Sequence, residues 1–226
     1  MLITEIYRSI QGESSFAGIP CTFVRLTACN LRCTWCDSEY TFTGGKKMSA
    51  DEVERAVVDL APTGLVEITG GEPMLQEREL APLMERLLAL GYTLLLETSG
   101  ERPLEAVPKA VHKIVDVKCP GSGEGGTFRM NNLETLTPRD EVKFVLTDRE
   151  DYEFAREFTR EHGLETKTAG VIFSPAFAKD PSRDRDTSNC QLDPRLLSEW
   201  ILEDKLNVRL GLQIHKFIWE PATKGV

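Results

Sequence analysis

The chain has 226 residues, 41% hydrophobic and 28% charged, the ordinary make-up of a soluble globular protein with one sizeable core. Its 36 acidic residues outnumber 27 basic ones, for a net charge of −9, and no Lys/Arg stripe is present; this excludes the usual nucleic-acid binder and favours a small-molecule substrate. No apolar run approaches the roughly 18–20 residues needed to cross a bilayer, and Met1-Leu2-Ile3-Thr4-Glu5-Ile6 lacks the marks of a secretory signal, so a cytosolic protein without a membrane partner is expected, its six cysteines reduced.

In chain order, residues 22–27 predict a strand that runs into the first of three clustered cysteines. Residues 49–60 predict a helix opened by a capping box of Ser49 and Glu52. A short buried strand over 65–69 follows and ends in the turn Gly70-Gly71-Glu72-Pro73. Residues 75–90 carry Leu80, Leu83, Met84, Leu87 and Leu88 at helical spacing, and Gly91 stops that helix. Further strands are predicted over 92–96, 114–117, 142–146 and 171–173, and helices over 151–162 and 194–206. This alternation implies an α/β fold with a mostly parallel sheet, curled or open, and one domain over 1–226 without repeat or linker. Chemistry in such folds collects at the carboxyl ends of the strands. Each motif singled out between Cys29 and Lys118 follows a predicted strand.

Residues 119–132 and 178–189 read as irregular. The first stretch contains Gly121-Ser122-Gly123-Glu124-Gly125-Gly126, which satisfies G-x-G-x-x-G literally. A dinucleotide site needs a helix opening there, and Thr127-Phe128-Arg129 supplies no helical start, so a flexible loop is the better reading.

Cys29, Cys33 and Cys36 have the spacing C-x3-C-x2-C. Three thiolates from one short loop reach three irons of a [4Fe–4S] cube and leave the fourth iron open, whereas an electron-transfer cluster normally takes four. The competing reading is structural zinc, with a fourth ligand from Cys21, Cys119, Cys190 or a histidine.

With Trp35 just before the last cysteine and Thr69-Gly70-Gly71-Glu72-Pro73 some thirty-five residues on, the sequence resembles the radical S-adenosylmethionine superfamily. The resemblance implies an incomplete β/α barrel, a [4Fe–4S] cluster, S-adenosylmethionine, and hydrogen abstraction from substrate by a 5′-deoxyadenosyl radical. Glycines at 70 and 71 would let the backbone approach a ligand closely, and Glu72 would face the cationic amino group of the methionine moiety.

A narrower resemblance covers nearly the whole chain. Ile6-Tyr7-Arg8-Ser9-Ile10-Gln11-Gly12-Glu13, Thr22-Phe23-Val24-Arg25-Leu26, Cys36-Asp37-Ser38, Glu97-Thr98-Ser99-Gly100, Asp116-Val117-Lys118, Lys143-Phe144-Val145, Gln213-Ile214-His215-Lys216 and the tail Lys224-Gly225-Val226 look like the 7-carboxy-7-deazaguanine synthase family. That family converts 6-carboxy-5,6,7,8-tetrahydropterin to 7-carboxy-7-deazaguanine with ring contraction and loss of ammonia, using S-adenosylmethionine and Mg²⁺. The resemblance implies substrate contacts from Ile10, Gln11, Gly12, Glu13, Arg25, Thr69, His215 and the Val226 carboxylate. It implies cofactor contacts from Trp35, Cys36, Asp37, Gly71, Glu72, Ser99, Lys118, Cys119 and Pro120, and a Mg²⁺ ligand in Ser38, where the family usually has threonine. The chemistry suits these residues: Gln11 and Glu13 can pair with a pterin edge, and Arg25 can clamp a carboxylate. No catalytic residue is expected beyond cluster and cofactor. A flavodoxin-like or ferredoxin-like electron donor and a homodimer are expected by analogy. The alternative is an activase that installs a glycyl radical in a partner protein.

Overall fold

The computed structural model describes residues 1–225. Its strands are β1 (Leu2–Ile10), β2 (Pro20–Leu26), β3 (Lys46–Lys47), β4 (Leu65–Gly70), β5 (Thr93–Thr98), β6 (His112–Asp116), β7 (Glu141–Leu146), β8 (Gly170–Pro175) and β9 (Arg209–Leu210). Its helices are α1 (Ala50–Leu60), α2 (Glu77–Ala89), α3 (Arg149–Glu161), α4 (Leu164–Lys167), α5 (Pro194–Glu203) and α6 (His215–Ile218). The strands lie in one sheet of order β3-β1-β2-β4-β5-β6-β7-β8-β9. β1 is antiparallel to both of its neighbours, and every pair from β2 to β9 is parallel. This is a mostly parallel α/β sheet that does not close, consistent with a partial barrel.

The two faces of the parallel strands differ because side chains alternate along each strand. The outward set includes Val24, Leu26, Val66, Ile68, Leu94, Leu96, Val142, Phe144 and Phe173. It meets the apolar stripes of the helices: Val53 and Val57 of α1, Leu80, Leu83, Met84 and Leu87 of α2, Tyr152 and Ala155 of α3, and Leu197 and Ile201 of α5. The inward set starts at the strands' N-terminal ends with an apolar plug of Cys21, Phe23, Leu65, Leu95 and Ile114, covered by Tyr7 and Phe16. Two residues further along the strands stand Arg25, Glu67, Glu97 and Asp116. The plug makes a dry floor, and the charged layer above it lines a cavity at the carboxyl ends.

The expected helix start at Ser49 forms as a full capping box, with the Ser49 N–H donating to Glu52 at 2.8 Å. The helix expected over 75–90 begins later, because Pro73–Gln76 is a 3-10 turn and α2 starts at Glu77. The sequence reading missed β1, β3 and β9. It placed no helix after the glycine-rich run, and the structure places none: short 3-10 turns cover Pro120–Ser122 and Met130–Thr135. That loop is tied to the cysteine loop, since the Thr34 N–H donates to the Ser122 carbonyl at 2.9 Å and the Thr34 hydroxyl to that of Gly121 at 2.9 Å. No helix among the described residues is long and apolar enough to cross a membrane.

The gap of the barrel is crossed by residues from both ends of the chain. The Ile214 N–H donates to the Gly12 carbonyl at 2.9 Å, and Gln213 Nε2 donates to Glu13 Oε1 at 2.6 Å. From the same N-terminal loop, the Ser15 N–H donates to Glu141 Oε1 at 3.1 Å, and Phe16 sits edge-on against His112.

Candidate active site

The cavity has a volume of about 200 Å³. The loop after β2 brings Cys29, Cys33, Trp35, Cys36, Asp37 and Ser38 to it. The end of β1 and the segment after it bring Ile10, Gln11, Gly12 and Glu13, and the ends of the next strands and the turns after them bring Arg25, Thr69, Gly71, Ser99 and Lys118. His215 of α6 completes the set, lying so close over Gly12 that a Cβ there would stand 1.9 Å from its Nδ1. Val226 lies outside the described residues.

Three expected site residues do not line this cavity. Cys119 is buried in the outer core, and Pro120 follows it in the loop. Glu72 is 1% exposed and its carboxylate is taken up by the protein. Its Oε1 accepts from the Met74 N–H at 3.0 Å and the Thr98 hydroxyl at 2.7 Å, and its Oε2 accepts from the Ser99 N–H at 2.8 Å and hydroxyl at 2.7 Å. In this fold Glu72 clamps the end of β5 to the turn after β4.

The two glycines also have a structural reason. A Cβ on Gly71 would lie 2.2 Å from the Ala28 carbonyl oxygen and 2.7 Å from Cys29 Cβ, and one on Gly70 would lie 2.4 Å from the Leu26 carbonyl oxygen. Their missing side chains admit the backbone of the cysteine loop, which enters through Ala28 at a φ of 82°. The Glu72 N–H then donates to the Ala28 carbonyl at 2.8 Å, so the loop rests on the turn.

Charged residues that sequence reading left without a site role dominate the wall. Lys143 Nζ lies 2.6 Å from Glu13 Oε2 and 3.9 Å from Asp116 Oδ2, and also donates to Glu97. Lys118 Nζ bonds Asp116 Oδ2 at 2.7 Å and lies 4.8 Å from the Trp35 ring centre, a cation–π contact. Lys216 bonds Asp37 at 2.6 Å. Arg25 is held by Glu5 and Tyr7, each at 2.9 Å, through Nε and Nη2. Glu67 and Glu97 each interrupt an apolar strand with a single charge, and Asp116 and Lys143 share their strands with Lys113 and Glu141; those inward charges among apolar neighbours were the available signal.

Electrostatics follow from burial and these partners. Burial pushes the Glu13 carboxyl up, but the Lys143 ammonium, His215 and Gln213 together outweigh it and hold the group down at about 2. Asp37 is lowered in the same way by Lys216. Glu67 goes the other way: burial, then the nearby Glu97 and Glu13 charges, raise it well above the ordinary carboxylate range. Burial lowers His215, favouring the neutral imidazole. Burial also pushes the Cys33 thiol up to about 11 and raises Cys29, so ligation by these groups releases protons.

The donor set fits an iron–sulfur cube with an open corner. Cys29, Cys33 and Cys36 line the cavity, whereas Cys21 and Cys119 are sealed in the cores and Cys190, paired through its backbone with Phe177, is not among the lining residues. Among the described residues no three Cys, His or acidic groups converge on one metal-ion position, as a closed zinc site requires. Two lining side chains, Trp35 through Nε1 and Asp116 through Oδ1, are buried without a partner among the described residues, leaving one donor and one acceptor over for a bound group.

A model of the Radical SAM superfamily matches residues 24–119, from within β2 through the segment after β6. The chain is 72% identical over 226 residues to the 7-carboxy-7-deazaguanine synthase of Koribacter versatilis, with 100% of both chains covered. It is 41% identical over 232 residues to the enzyme of that name from Chlorobaculum tepidum, covering 99% of this chain and 96% of the other. In fold it is similar to the crystal structure of QueE from Escherichia coli, with a TM-score of 0.69 at 24% identity over 93% of this chain and 92% of that one. Cluster loop, glycine turn and full-length similarity agree: the chain belongs to the 7-carboxy-7-deazaguanine synthases, enzymes of the radical S-adenosylmethionine superfamily.

Proposed function

We propose that this chain, acting as one domain over 1–226, converts 6-carboxy-5,6,7,8-tetrahydropterin to 7-carboxy-7-deazaguanine with ring contraction and loss of ammonia. The observation that carries the reading is one cavity lined both by the three thiols and by Gln11, Glu13 and Arg25. Cys29, Cys33 and Cys36 would hold the [4Fe–4S] cluster, and Trp35, Asp37, Gly71, Ser99 and Lys118 would surround S-adenosylmethionine. When bound, these two groups supply the 5′-deoxyadenosyl radical that takes a hydrogen atom from the substrate.

The chain's own residues bind and orient. Gln11 Oε1 accepts from the Glu13 N–H at 3.0 Å, which holds the amide in place to meet the N–H and carbonyl of a pterin edge, and the Glu13 carboxylate lines the same cavity. Arg25 is fixed by Glu5 and Tyr7, and its Nη1 makes no hydrogen bond among the described residues, which suits a substrate carboxylate. Thr69 and His215 add polar contacts.

Ser38 lines the cavity 3.8 Å from Cys36 and offers a hard hydroxyl oxygen. It would hold Mg²⁺, an ion that retains waters and takes further oxygens from substrate. An external flavodoxin-like or ferredoxin-like protein would supply the electron to a cytoplasmic homodimer. The glycyl-radical activase is not favoured, since the full-length relatives carry the synthase name.

The test is an anaerobic assay of reconstituted protein with dithionite, Mg²⁺, S-adenosylmethionine and 6-carboxytetrahydropterin, read by mass spectrometry. 7-Carboxy-7-deazaguanine is the expected product. Cleavage to 5′-deoxyadenosine without it would overturn the substrate and keep the radical chemistry.

A further inference from the structure

Glu67 is the only charged residue on β4, 3% exposed, and it points into the barrel between Leu65 of the apolar plug and Thr69. Its Oε2 accepts a hydrogen bond from Gln11 Nε2. The other end of that amide is fixed as well, because Gln11 Oε1 accepts from the Glu13 N–H at 3.0 Å. The backbone of Gln11 is pinned in turn: its N–H donates to the Ile19 carbonyl at 2.8 Å, and its carbonyl accepts from Gly18 at 2.8 Å.

A primary amide has two donors and two acceptor sites that can exchange places by rotating half a turn. Here one donor is committed to Glu67 and one acceptor site to a backbone N–H that cannot accept. The remaining N–H and lone pair of Gln11 are therefore offered in a fixed order. A rotated amide would turn its oxygen toward the Glu67 carboxyl and its NH2 toward the Glu13 N–H, setting donor against donor in a buried site.

We propose that Glu67 is a positioning and specificity-determining residue that locks the rotation of the Gln11 amide, so that the site accepts a lactam edge (carbonyl beside N–H) and rejects its amino-substituted counterpart. This rests on the reading above that Gln11 meets the substrate. Glu67 acts through Gln11, and the role needs its acceptor oxygen and not its charge.

The experiment compares the full-length reconstituted enzyme with Glu67→Gln, Glu67→Met, Gln11→Ala and the double variant Gln11→Ala/Glu67→Met. Each is assayed anaerobically with 6-carboxytetrahydropterin and with its 4-amino analogue. Iron content and cluster absorbance check that each variant folds and loads; Glu67→Val replaces Glu67→Met if the latter does not. Removing the acceptor is expected to raise KM for the carboxypterin roughly tenfold, the size of one misplaced buried hydrogen-bond pair, with kcat little changed and discrimination against the analogue reduced. Glu67→Gln, which keeps an acceptor oxygen, is expected to restore KM to within about threefold of wild type, and Glu67→Met is expected to add nothing in the Gln11→Ala background.

An unchanged KM in Glu67→Met beside a raised KM in Gln11→Ala would overturn the proposal while leaving the substrate reading intact. An unchanged KM in Gln11→Ala would remove that reading and the proposal with it. Equal damage from Glu67→Gln and Glu67→Met would show that Glu67 works through its proton or charge, which also overturns it.

Discussion

Lys143 and Glu13 are 130 positions apart in the chain and 2.6 Å apart in the fold, joined across the inside of the barrel. The same ammonium also serves Glu97 and faces Asp116, so one cation compensates three buried or half-buried carboxylates. Lys143→Met should therefore destabilise the protein by about 3–5 kcal/mol, the cost of leaving buried charges unpaired. Urea unfolding at neutral pH reads it, and a loss under about 1 kcal/mol would mean that the carboxylates find water or protons instead.

The cluster loop depends on the absence of a single methyl. Gly71→Ala would drive a Cβ into the Ala28 carbonyl and the Cys29 Cβ, neither of which is the free end of a flexible side chain. We expect reconstituted iron to fall well below four per chain, roughly halved or worse, with the fold retained. Full iron loading in that variant would show that the loop moves aside.

Glu72→Gln separates two roles. The carboxylate accepts four hydrogen bonds, and an amide would point an NH2 group at some of those donors. A clamp between β4 and β5 predicts a stability loss of about 1–3 kcal/mol. A contact with the methionine amino group predicts weaker S-adenosylmethionine binding at unchanged melting temperature, and equilibrium binding beside thermal unfolding distinguishes them.

Glu13 and Glu67 should tilt the stability–pH curve in opposite senses. Glu13 is held at about 2 against an ordinary 4.5, so its contribution is present above about pH 4.5 and is lost as pH falls toward 2. Glu67 is raised, so its contribution is full below pH 4.5 and fades as pH rises toward its folded value. The groups around it are Glu97, Glu13, Lys143 and Arg25, with Cys21 and Tyr7 also within its field. Glu67→Gln should flatten the decline above pH 4.5 relative to wild type in urea unfolding across pH; parallel curves for the two proteins would refute the assignment.

Ser38→Ala should weaken the Mg²⁺ dependence of turnover while leaving iron content unchanged. The hydroxyl lines the cavity beside Cys36 but is no part of the thiol set. An unaltered Mg²⁺ response would discard Ser38 as a ligand.

The parallel strands from β2 to β8 were legible because their outward residues make apolar runs against helices with clear stripes. β1 was not, since a register shift between Ile3 and Glu5 breaks its alternation and most of its residues are only half-buried. β3 and β9 are two residues long each and exist because a neighbour offers an edge. The cysteine loop and its Trp35, Asp37 and Ser38 could be read from spacing and resemblance. The inner charged layer was visible only as scattered charges in largely apolar strands, and its pairing, Lys143 with Glu13 and Glu97 or Lys216 with Asp37, is a product of barrel curvature that local sequence does not encode. For Glu72 and Gly71 the motif was legible and the neighbours were not.

The barrel's gap is crossed by residues from the chain's two extremities, and this sets an order of events during synthesis. All three thiols of the cluster loop leave the ribosome early, whereas Lys216, which holds Asp37, follows 179 positions later. Until Gln213 and His215 emerge, the nascent chain has its cluster loop and most of its parallel sheet but no finished wall opposite it. The cluster loop is thus made well before the residues that close the chamber around it.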